Sequence, residues 1–169
     1  MALPPSTIVS VGAGTSSLID HLIERGNQVI GVDLSATALE RLSARIGAHP
    51  NLRTLTGDVR TLSLSEPVRA WQDRAVFHFL TATGDQRAYV RAAAAAVQPG
   101  GHLVLAGFGP DGPVECSGLP VARHDPRSLA MAFAPAFELV ESFEADHLTP
   151  WGSTQRFLHA LFRRGATSR

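Results

Sequence analysis

The sequence predicts an α/β fold built on a doubly wound, seven-stranded, mostly parallel sheet with one antiparallel strand. Apolar runs alternate with helical patterns along most of the 169-residue chain. This alternation is typical of parallel strands joined by right-handed helical crossovers. The last two apolar runs are joined by a shorter link without a helical pattern. That link favours an antiparallel strand near the sheet edge.

The strands are predicted from short apolar runs bounded by turn residues. In chain order they are Ile8–Val11, Gln28–Val32, Asn51–Thr56, Val68–Gln72, His102–Phe108, Phe137–Ala145 and Arg156–Arg163. Of these, Val68–Gln72 has the weakest pattern. The remaining long segment, Gly109–Pro126, is rich in glycine and proline and shows no clear period. It is predicted to be a loop of the length that usually carries function.

Four helices are predicted between the strands. Ser16–Arg25 stops at Gly26-Asn27, and Ser35 is the expected N-cap of a helix through Arg45. The other two are an alanine-rich helix, Asp85–Val97, and a helix near Arg127–Phe133. The alanine-rich helix is followed by a Pro-Gly-Gly turn, which is a strong helix stop.

Composition limits the classes of partner. The 15 basic residues, all arginine, balance 15 acidic ones, and zero net charge argues against nucleic acid or an anionic membrane as partner. The single cysteine, Cys116, excludes an intrachain disulfide and fits a reducing compartment. No secretion signal or membrane-spanning apolar run is present. We therefore expect one cytoplasmic domain over residues 1–169.

Two strand ends carry the first functional signal. The run Ile8–Val11 leads into Gly12-Ala13-Gly14, and the second strand ends at Asp33. Glycines let a ligand approach the backbone, and a carboxylate there accepts hydrogen bonds from ribose hydroxyls. The alternative is that these residues form ordinary strand-end turns. Together they predict a nucleoside site.

The type of nucleoside follows from three further positions. A dinucleotide fold requires glycine at the third position of GxGxxG, where this chain has Ser17. Asp58 follows the third strand and can accept a hydrogen bond from an adenine amino group. Pro99-Gly100-Gly101 precedes the fifth strand. These positions favour S-adenosylmethionine, which has no phosphates.

With these motifs in this order, the chain resembles the class I S-adenosylmethionine-dependent methyltransferases over Thr7 to Arg164. Two segments, Asp73–Leu80 and Cys116–Val121, are similar to a bacterial group of methyltransferase-domain proteins. The resemblance implies a Rossmann-like methyltransferase fold and S-adenosylmethionine as cofactor. The residues implied at the cofactor are Gly12, Ala13 and Gly14 at its methionine end, Asp33 at the ribose, Leu34, Asp58 and Val59 around the adenine, and Asp73 at the reacting methyl.

Two departures from the family pattern stand out. Ser10 occupies a position that is commonly acidic, and we expect this to weaken cofactor affinity. Family members also commonly carry helices before the first strand, whereas only Met1–Ser6 precede it here. The cleft would then be open unless a second chain or a long loop covers it. Apolar surface from Phe77, Phe79 and the Gly109–Pro126 loop predicts a homodimer.

The acceptor side is predicted from the segments after the fourth and fifth strands. Asp73, His78 and His124 are the candidate catalytic groups, and Arg74, Cys116 and Trp151 are the candidate substrate-binding residues. Each has an alternative. Asp73 would cap a short helix Ala75–Leu80, Arg74 would be a surface charge, and His78 and Trp151 would be packing residues. No metal is expected, since Cys116, His124 and His147 lack metal-site spacing.

The predicted reaction is methyl transfer from S-adenosylmethionine to a small-molecule nucleophile. The Gly-Thr-Ser-Ser segment and Asp73 are also similar to some protein methyltransferases, so a protein lysine is the second acceptor class. A non-catalytic domain that binds the cofactor or a partner stays open because of Ser10. A nicotinamide oxidoreductase is the remaining alternative, disfavoured by Ser17 and Asp58.

Overall fold

The computed structural model describes residues 5–14, 16–148, 152 and 154–166. Its strands are β1 Thr7–Val11, β2 Gln28–Asp33, β3 Leu52–Thr56, β4 Val68–Arg74, β5 Val97–Phe108, β6 Glu115–Cys116, β7 Leu119–Pro120, β8 Phe137–Leu148 and β9 Thr154–Arg164. Its helices are α1 Leu18–Glu24, α2 Ala36–Ile46, α3 Thr83–Ala96 and α4 Pro126–Phe133. Two short 3₁₀ turns cover Val59–Thr61 and Phe77–Phe79.

Seven strands form one sheet in the order β3-β2-β1-β4-β5-β9-β8. Strands β1 to β5 pair in parallel. Strand β9 runs antiparallel to β5, and β8 runs antiparallel to β9. Only β9 therefore opposes the other strands of the sheet. The predicted seven-stranded, mostly parallel sheet with one antiparallel strand is confirmed.

Helices cover both faces of the sheet. On one face α1 and α2 bury a small cluster that includes Ile19, Val29 and Leu42. On the other, α3 and α4 bury a larger cluster around Trp71 and Phe133. Alternation along each strand sorts the side chains between these faces, since successive residues of a strand point in opposite directions. This arrangement leaves the strand ends as the place where loops converge.

Local signals place the helix starts. The hydroxyl of Ser35 accepts a hydrogen bond from Ala38 N at 3.2 Å, which confirms the predicted N-cap of α2. At α4, the carboxylate of Asp125 accepts from Ser128 N at 2.6 Å, and the Ser128 hydroxyl accepts from Asp125 N at 3.0 Å. This capping box satisfies two of the amides that a helix start leaves unpaired.

The structure differs from the prediction mainly in four places. Strand β5 begins at Val97 and includes Pro99-Gly100-Gly101, which were predicted to form a turn after the helix. The Ala75–Leu80 segment, predicted as a short helix, holds only the 3₁₀ turn Phe77–Phe79. The loop Gly109–Pro126 contains the small antiparallel pair β6–β7. Strands β8 and β9 are longer than predicted because polar residues continue the pairing: Arg156 Nε donates to Asp146 Oδ1 at 2.9 Å across the two strands. Sequence polarity had suggested a loop there.

None of the helices in the described part of the chain is long and apolar enough to cross a membrane.

Candidate functional site

The carboxyl ends of β1 to β5 meet at one edge of the sheet, named here the carboxyl edge. Gly12 follows β1, Asp33 ends β2, Asp58 follows β3, and Asp73 lies near the end of β4. The sheet order places β1 between β2 and β4. Residues that are distant in sequence are thus brought together where ligands bind in open α/β sheets.

The loop after β1 depends on its two glycines. Gly12 has φ 61° and Gly14 has φ 47°, a left-handed conformation that side chains with a Cβ adopt at a cost. A Cβ on Gly12 would lie 2.2 Å from Cγ2 of Val76. Glycine is therefore required at position 12 both by conformation and by contact.

Asp33 ties this loop to β2. Its Oδ2 accepts a hydrogen bond from Gly14 N at 2.9 Å, and its Oδ1 accepts from Ser35 N at 2.9 Å. The neighbouring Leu34 is 74% exposed, although it is a large apolar side chain. An acidic group held by backbone amides beside an exposed apolar side chain is suited to a sugar next to a flat base.

The carboxylate of Asp58 forms hydrogen bonds within the protein that the sequence did not suggest. Arg60 donates to it from its backbone N and from Nε, at 2.9 Å each, and also forms an ion pair with Asp85 at 2.6 Å. The hydrogen bonds from the Arg60 side chain lower the pKa of the Asp58 carboxyl below its usual range. Sequence reasoning missed Arg60 and Asp85. The spacing Asp58-Val59-Arg60 was the only available signal for the first of them.

Ser10 shows how the departure from the family pattern is accommodated. The residue is 2% exposed, and its hydroxyl donates to Oε1 of Gln72 at 2.7 Å. Ser10 and Gln72 face each other across β1 and β4. The polar group at position 10 is thus satisfied within the sheet.

Asp73 is 1% exposed, and its carboxylate accepts three hydrogen bonds from within the protein. Val76 N donates to Oδ1 at 2.8 Å, while Phe77 N at 3.0 Å and the hydroxyl of Tyr89 at 2.5 Å donate to Oδ2. Burial raises the pKa of the Asp73 carboxyl to about 6, although these hydrogen bonds oppose the shift. The placement does not fit the predicted contact with the reacting methyl. It matches the alternative, in which Asp73 caps the following turn.

His78 is buried without a partner. It is 2% exposed, and neither ring nitrogen has a hydrogen-bond partner among the described residues. Its ring packs against Phe79 and Phe108, with centroids 4.4 Å and 5.0 Å away. Burial lowers the pKa of His78 to about 4. The imidazole is therefore neutral at pH 7, with two unused polar atoms.

His78 and His124 line a narrow cavity with about 10 Å³ of free space, named here the histidine cavity, together with apolar groups. The apolar part of its wall includes Phe77, Phe108, Leu129 and Leu158. The ring nitrogens of His124 lie 3.5 Å from Gln86 Nε2 and 3.4 Å from Ser128 Oγ, and burial lowers the pKa of His124. The structure thus brings together the two histidines that the sequence singled out.

The other predicted acceptor residues lie elsewhere. Among the described residues, the wall of the histidine cavity does not include Arg74 or Cys116. Arg74 is exposed at the end of β4, and Cys116 is half-buried on the β6–β7 hairpin. Trp151 lies outside the described residues. Within the described part of the chain, no group of three His, Cys, Asp or Glu side chains could hold a metal ion.

A family profile described as a methyltransferase domain matches residues 8–101, which is more than half of the chain. The chain belongs to the class I S-adenosylmethionine-dependent methyltransferases. The matched segment contains β1 to β4 and α1 to α3, and so includes most of the carboxyl edge. Its cofactor is S-adenosylmethionine, which excludes the alternative of a nicotinamide oxidoreductase.

Two solved methyltransferase structures share this fold. The N-methyltransferase NodS of Bradyrhizobium japonicum, in complex with S-adenosylhomocysteine, is 16% identical with a TM-score of 0.75, covering 95% of this chain and 79% of that one. The 1,6-didemethyltoxoflavin-N1-methyltransferase of Burkholderia thailandensis is 21% identical with a TM-score of 0.78, covering 96% and 72%. At these identities the likeness shows the methyltransferase fold alone.

A curated relative corrects one prediction about partners. The methyltransferase is 35% identical over 63 residues to a ribosomal RNA small subunit methyltransferase A of Dehalococcoides mccartyi. The match covers 37% of this chain and 22% of that relative, so the chain matches only about a fifth of the relative's length. The exclusion of nucleic acid from zero net charge was therefore wrong. Net charge is a sum over the surface and does not report on recognition of a single base.

One of the apolar residues expected at the surface of the predicted homodimer is buried. Phe77 was expected to contribute exposed apolar surface, but it is 1% exposed in this methyltransferase. Its ring packs against Tyr89 and Phe133, with centroids 5.0 Å from each. The 3₁₀ turn directs Phe77 into the core instead of the cleft.

Proposed function

We propose that this methyltransferase transfers the methyl group to a nucleophilic atom of a small molecule bound at the histidine cavity. The observation that carries the proposal is the wall of that cavity: mainly apolar side chains with two imidazoles. Concave, mostly apolar sites with a few fixed polar groups are typical of small-ligand sites. Because the free space of about 10 Å³ holds roughly one water, the acceptor enters only when side chains of the wall move. The unused nitrogens of His78 offer such a ligand hydrogen-bonding positions.

The cofactor is assigned to the carboxyl edge. In this proposal Gly12, Ala13 and Gly14 border its methionine end, and the carboxylate of Asp33 accepts hydrogen bonds from the ribose hydroxyls. Leu34, Asp58 and Val59 surround the adenine. Three observations support the fit: the left-handed glycines, the exposed apolar surface of Leu34, and the acidic residues Asp33 and Asp58 at the ends of β2 and β3.

When bound, the cofactor supplies an electrophilic methyl on a sulfonium; an acceptor lone pair forms the new bond to carbon as the carbon–sulfur bond breaks, leaving S-adenosylhomocysteine. The protein supplies position and surroundings. Holding the reacting groups in line contributes about 7–11 kcal/mol in favourable cases. The buried Phe77 ring beside the histidine cavity helps to exclude water.

A proton has to leave the acceptor when its nucleophilic atom arrives protonated. His78 and His124 are the proposed recipients, because both line the histidine cavity and their lowered pKa values keep the rings neutral at pH 7. With a pKa of about 4, His78 is the kind of weak base that accepts a hydrogen bond more readily than a proton, since general bases act best with a pKa near the working pH. A neutral imidazole can accept a hydrogen bond from an N–H or O–H of the acceptor. Asp73 has no direct part in this step, since its oxygens are occupied within the protein.

We expect His78→Ala and His124→Ala to lower turnover by about 10²–10⁴-fold if they act as general bases. The dissociation constant for S-adenosylhomocysteine should be nearly unchanged, because neither residue is assigned to the cofactor. Single-turnover kinetics would measure the first quantity and calorimetry the second. His102→Ala, in the middle of β5 and outside the wall of the histidine cavity, is the matched control and should leave both unchanged. Full turnover in both cavity variants would contradict the assignment.

An RNA base is the second candidate acceptor, favoured by the match to ribosomal RNA methyltransferases. The two candidates differ in what becomes labelled. With S-adenosylmethionine radiolabelled on its methyl group, label from a cell extract should enter the dialysable fraction if the acceptor is small. Label that stays with polymer and is released by ribonuclease would favour RNA, and label released by protease would favour protein. His78→Ala controls for transfer at the proposed site.

A further inference from the structure

We propose that Tyr89 and Trp71 are positioning residues of the methyl-transfer site, which hold Asp73 and, through it, the turn that contacts the glycine loop. This inference rests on the assignment of the glycine loop to the cofactor. Neither residue belongs to the carboxyl edge in sequence. Tyr89 lies in α3 and Trp71 in the middle of β4.

The three side chains form a continuous hydrogen-bonded chain in the core. The Trp71 indole Nε1 donates to the Tyr89 hydroxyl oxygen at 2.8 Å, and that hydroxyl donates to Asp73 Oδ2 at 2.5 Å. Trp71 and Tyr89 are fully buried, and Asp73 is 1% exposed. Each polar atom of the chain is thus held in one orientation, away from water.

Beyond Asp73 the chain continues into the turn. The carboxylate accepts from the amides of Val76 and Phe77, and Ala75 between them and β4 has φ 65°. A left-handed alanine is strained and persists only when its surroundings hold it. The turn then places Cγ2 of Val76 2.2 Å from where a Cβ of Gly12 would be. The position of Val76 therefore limits the conformations that the glycine loop can adopt.

Only a carboxylate satisfies this arrangement. Three donors converge on one side chain: two backbone amides and the Tyr89 hydroxyl. Asparagine at the same position would turn an NH₂ group toward at least one of them, and an apolar residue would leave all three unpaired. A purely structural core would not need a buried charge, which costs desolvation.

The titratable groups around Asp73 determine whether a pH effect on this site can be attributed to Asp73. From α3 the facing group is Tyr89, whose pKa is raised well above its usual value by burial. From the turn the nearest titratable group is His78, with His124 behind Phe77. The paired residues on β1 and β5 are the apolar Val11 and Leu105, and Arg74 on β4 is exposed. Of these groups, Asp73 is the one whose pKa is about 6.

The sign of the effect follows from the raised pKa. Asp73 is ionised above pH about 6, where the three donors are all satisfied. Acidification through this value adds a proton that opposes one of the donors, and the turn loosens. A carboxyl with a raised pKa binds its proton more tightly in the folded state, so this group does not destabilise the fold on acidification. Cofactor affinity should therefore fall on acidification without a matching loss of stability from Asp73.

Tyr89→Phe tests the inference, since it removes the hydroxyl and keeps the ring. Without that donor the pKa of Asp73 should rise further, and the midpoint of the loss of S-adenosylhomocysteine affinity should move to higher pH. At pH 7 we expect affinity to be about tenfold weaker, as for the loss of one hydrogen bond to a charged group. Trp71→Phe should shift the midpoint in the same direction by less. Calorimetry at pH values on both sides of 6 measures these midpoints.

The matched control is Phe133→Leu. This ring packs against Tyr89 and Phe77, with centroids 6.2 Å and 5.0 Å away, and takes no part in the hydrogen bonds. It should lower thermal stability and leave the pH midpoint unchanged. If Tyr89→Phe folds poorly because the Trp71 N–H loses its partner, the double variant Trp71→Phe/Tyr89→Phe removes both groups and is measured instead.

The outcomes separate this inference from the assignment on which it rests. If the parent protein binds S-adenosylhomocysteine and Tyr89→Phe has the same pH midpoint as the parent, the hydrogen-bonded chain is only structural. That result would overturn this inference alone. A parent protein that did not bind S-adenosylhomocysteine would overturn the cofactor assignment and this inference together. If the pH midpoint of S-adenosylhomocysteine affinity moves in Tyr89→Phe but not in Phe133→Leu, Tyr89 acts as a positioning residue.

Discussion

Replacing Gly12 by alanine is expected to weaken the binding of S-adenosylhomocysteine by at least about 30-fold. The alanine Cβ would lie 2.2 Å from Cγ2 of Val76, so either the glycine loop or the turn after β4 has to move. Overpacking of this kind costs about 1–3 kcal/mol, and the left-handed φ of 61° adds about 1–2 kcal/mol for a residue with a Cβ. If these costs fall on the bound geometry of the loop, affinity drops by roughly 30-fold to several thousand-fold.

Two further variants separate the causes of that loss. Gly47→Ala also falls at a positive φ, 78° with ψ −171°, but the new Cβ would meet nothing within 4 Å. Because this conformation is nearly restricted to glycine, the variant should lower thermal stability and leave cofactor affinity unchanged. The double variant Gly12→Ala/Val76→Ala removes the contact and keeps the backbone strain, so it should recover part of the affinity. Calorimetry and thermal unfolding measure both. Undiminished binding by Gly12→Ala would place the cofactor away from this loop.

The second large effect is expected for Asp33→Ala. The substitution removes the proposed ribose partner and also the acceptor for Gly14 N and Ser35 N, each at 2.9 Å. Loss of hydrogen bonds to a charged group costs about 1.5–3 kcal/mol, and we expect affinity for S-adenosylhomocysteine to fall by about 10- to 150-fold. Asp33→Asn keeps one acceptor oxygen and should fall between the parent and the alanine variant.

Asp146→Ala provides the control for Asp33. Asp146 is a surface carboxylate on β8, bonded to Arg156 on β9, and the strand lies at the far edge of the sheet from β2. Its removal should leave the calorimetric affinity unchanged, since exposed ion pairs contribute little. Equal affinity of Asp33→Ala and the parent protein would refute the ribose role of Asp33. The glycine loop could then still hold another part of the cofactor.

Much of the fold could be predicted because it depends on local patterns. Apolar alternation located β1, β2 and β3 to within about a residue or two, and the Ser35 signal placed the start of α2. The missing helical pattern between the last two strands predicted the antiparallel β9. Once the strand order of a doubly wound sheet is assumed, the residues at the carboxyl edge follow, since parallel strands end at the same side.

The contacts across elements could not be predicted in the same way. Arg60 pairs with both Asp58 and Asp85, and Tyr89 reaches Asp73 and Trp71 from a helix sixteen or more residues away. No periodicity encodes such a partner, because it depends on how a crossover helix is rotated against the sheet. The same rotation turns Phe77 into the core, where the sequence alone suggested exposure.

The sequence by itself therefore determined the class of sheet, the glycine loop and the acidic strand ends, because backbone conformation and side-chain alternation are set by neighbouring residues. Only the tertiary structure decided how each candidate group is buried and hydrogen-bonded. Asp73 is occupied by three internal donors, whereas His78 is buried with both ring nitrogens unpartnered among the described residues. Burial and hydrogen bonding are properties of packed elements, and the pattern of neighbouring residues in the sequence does not determine them.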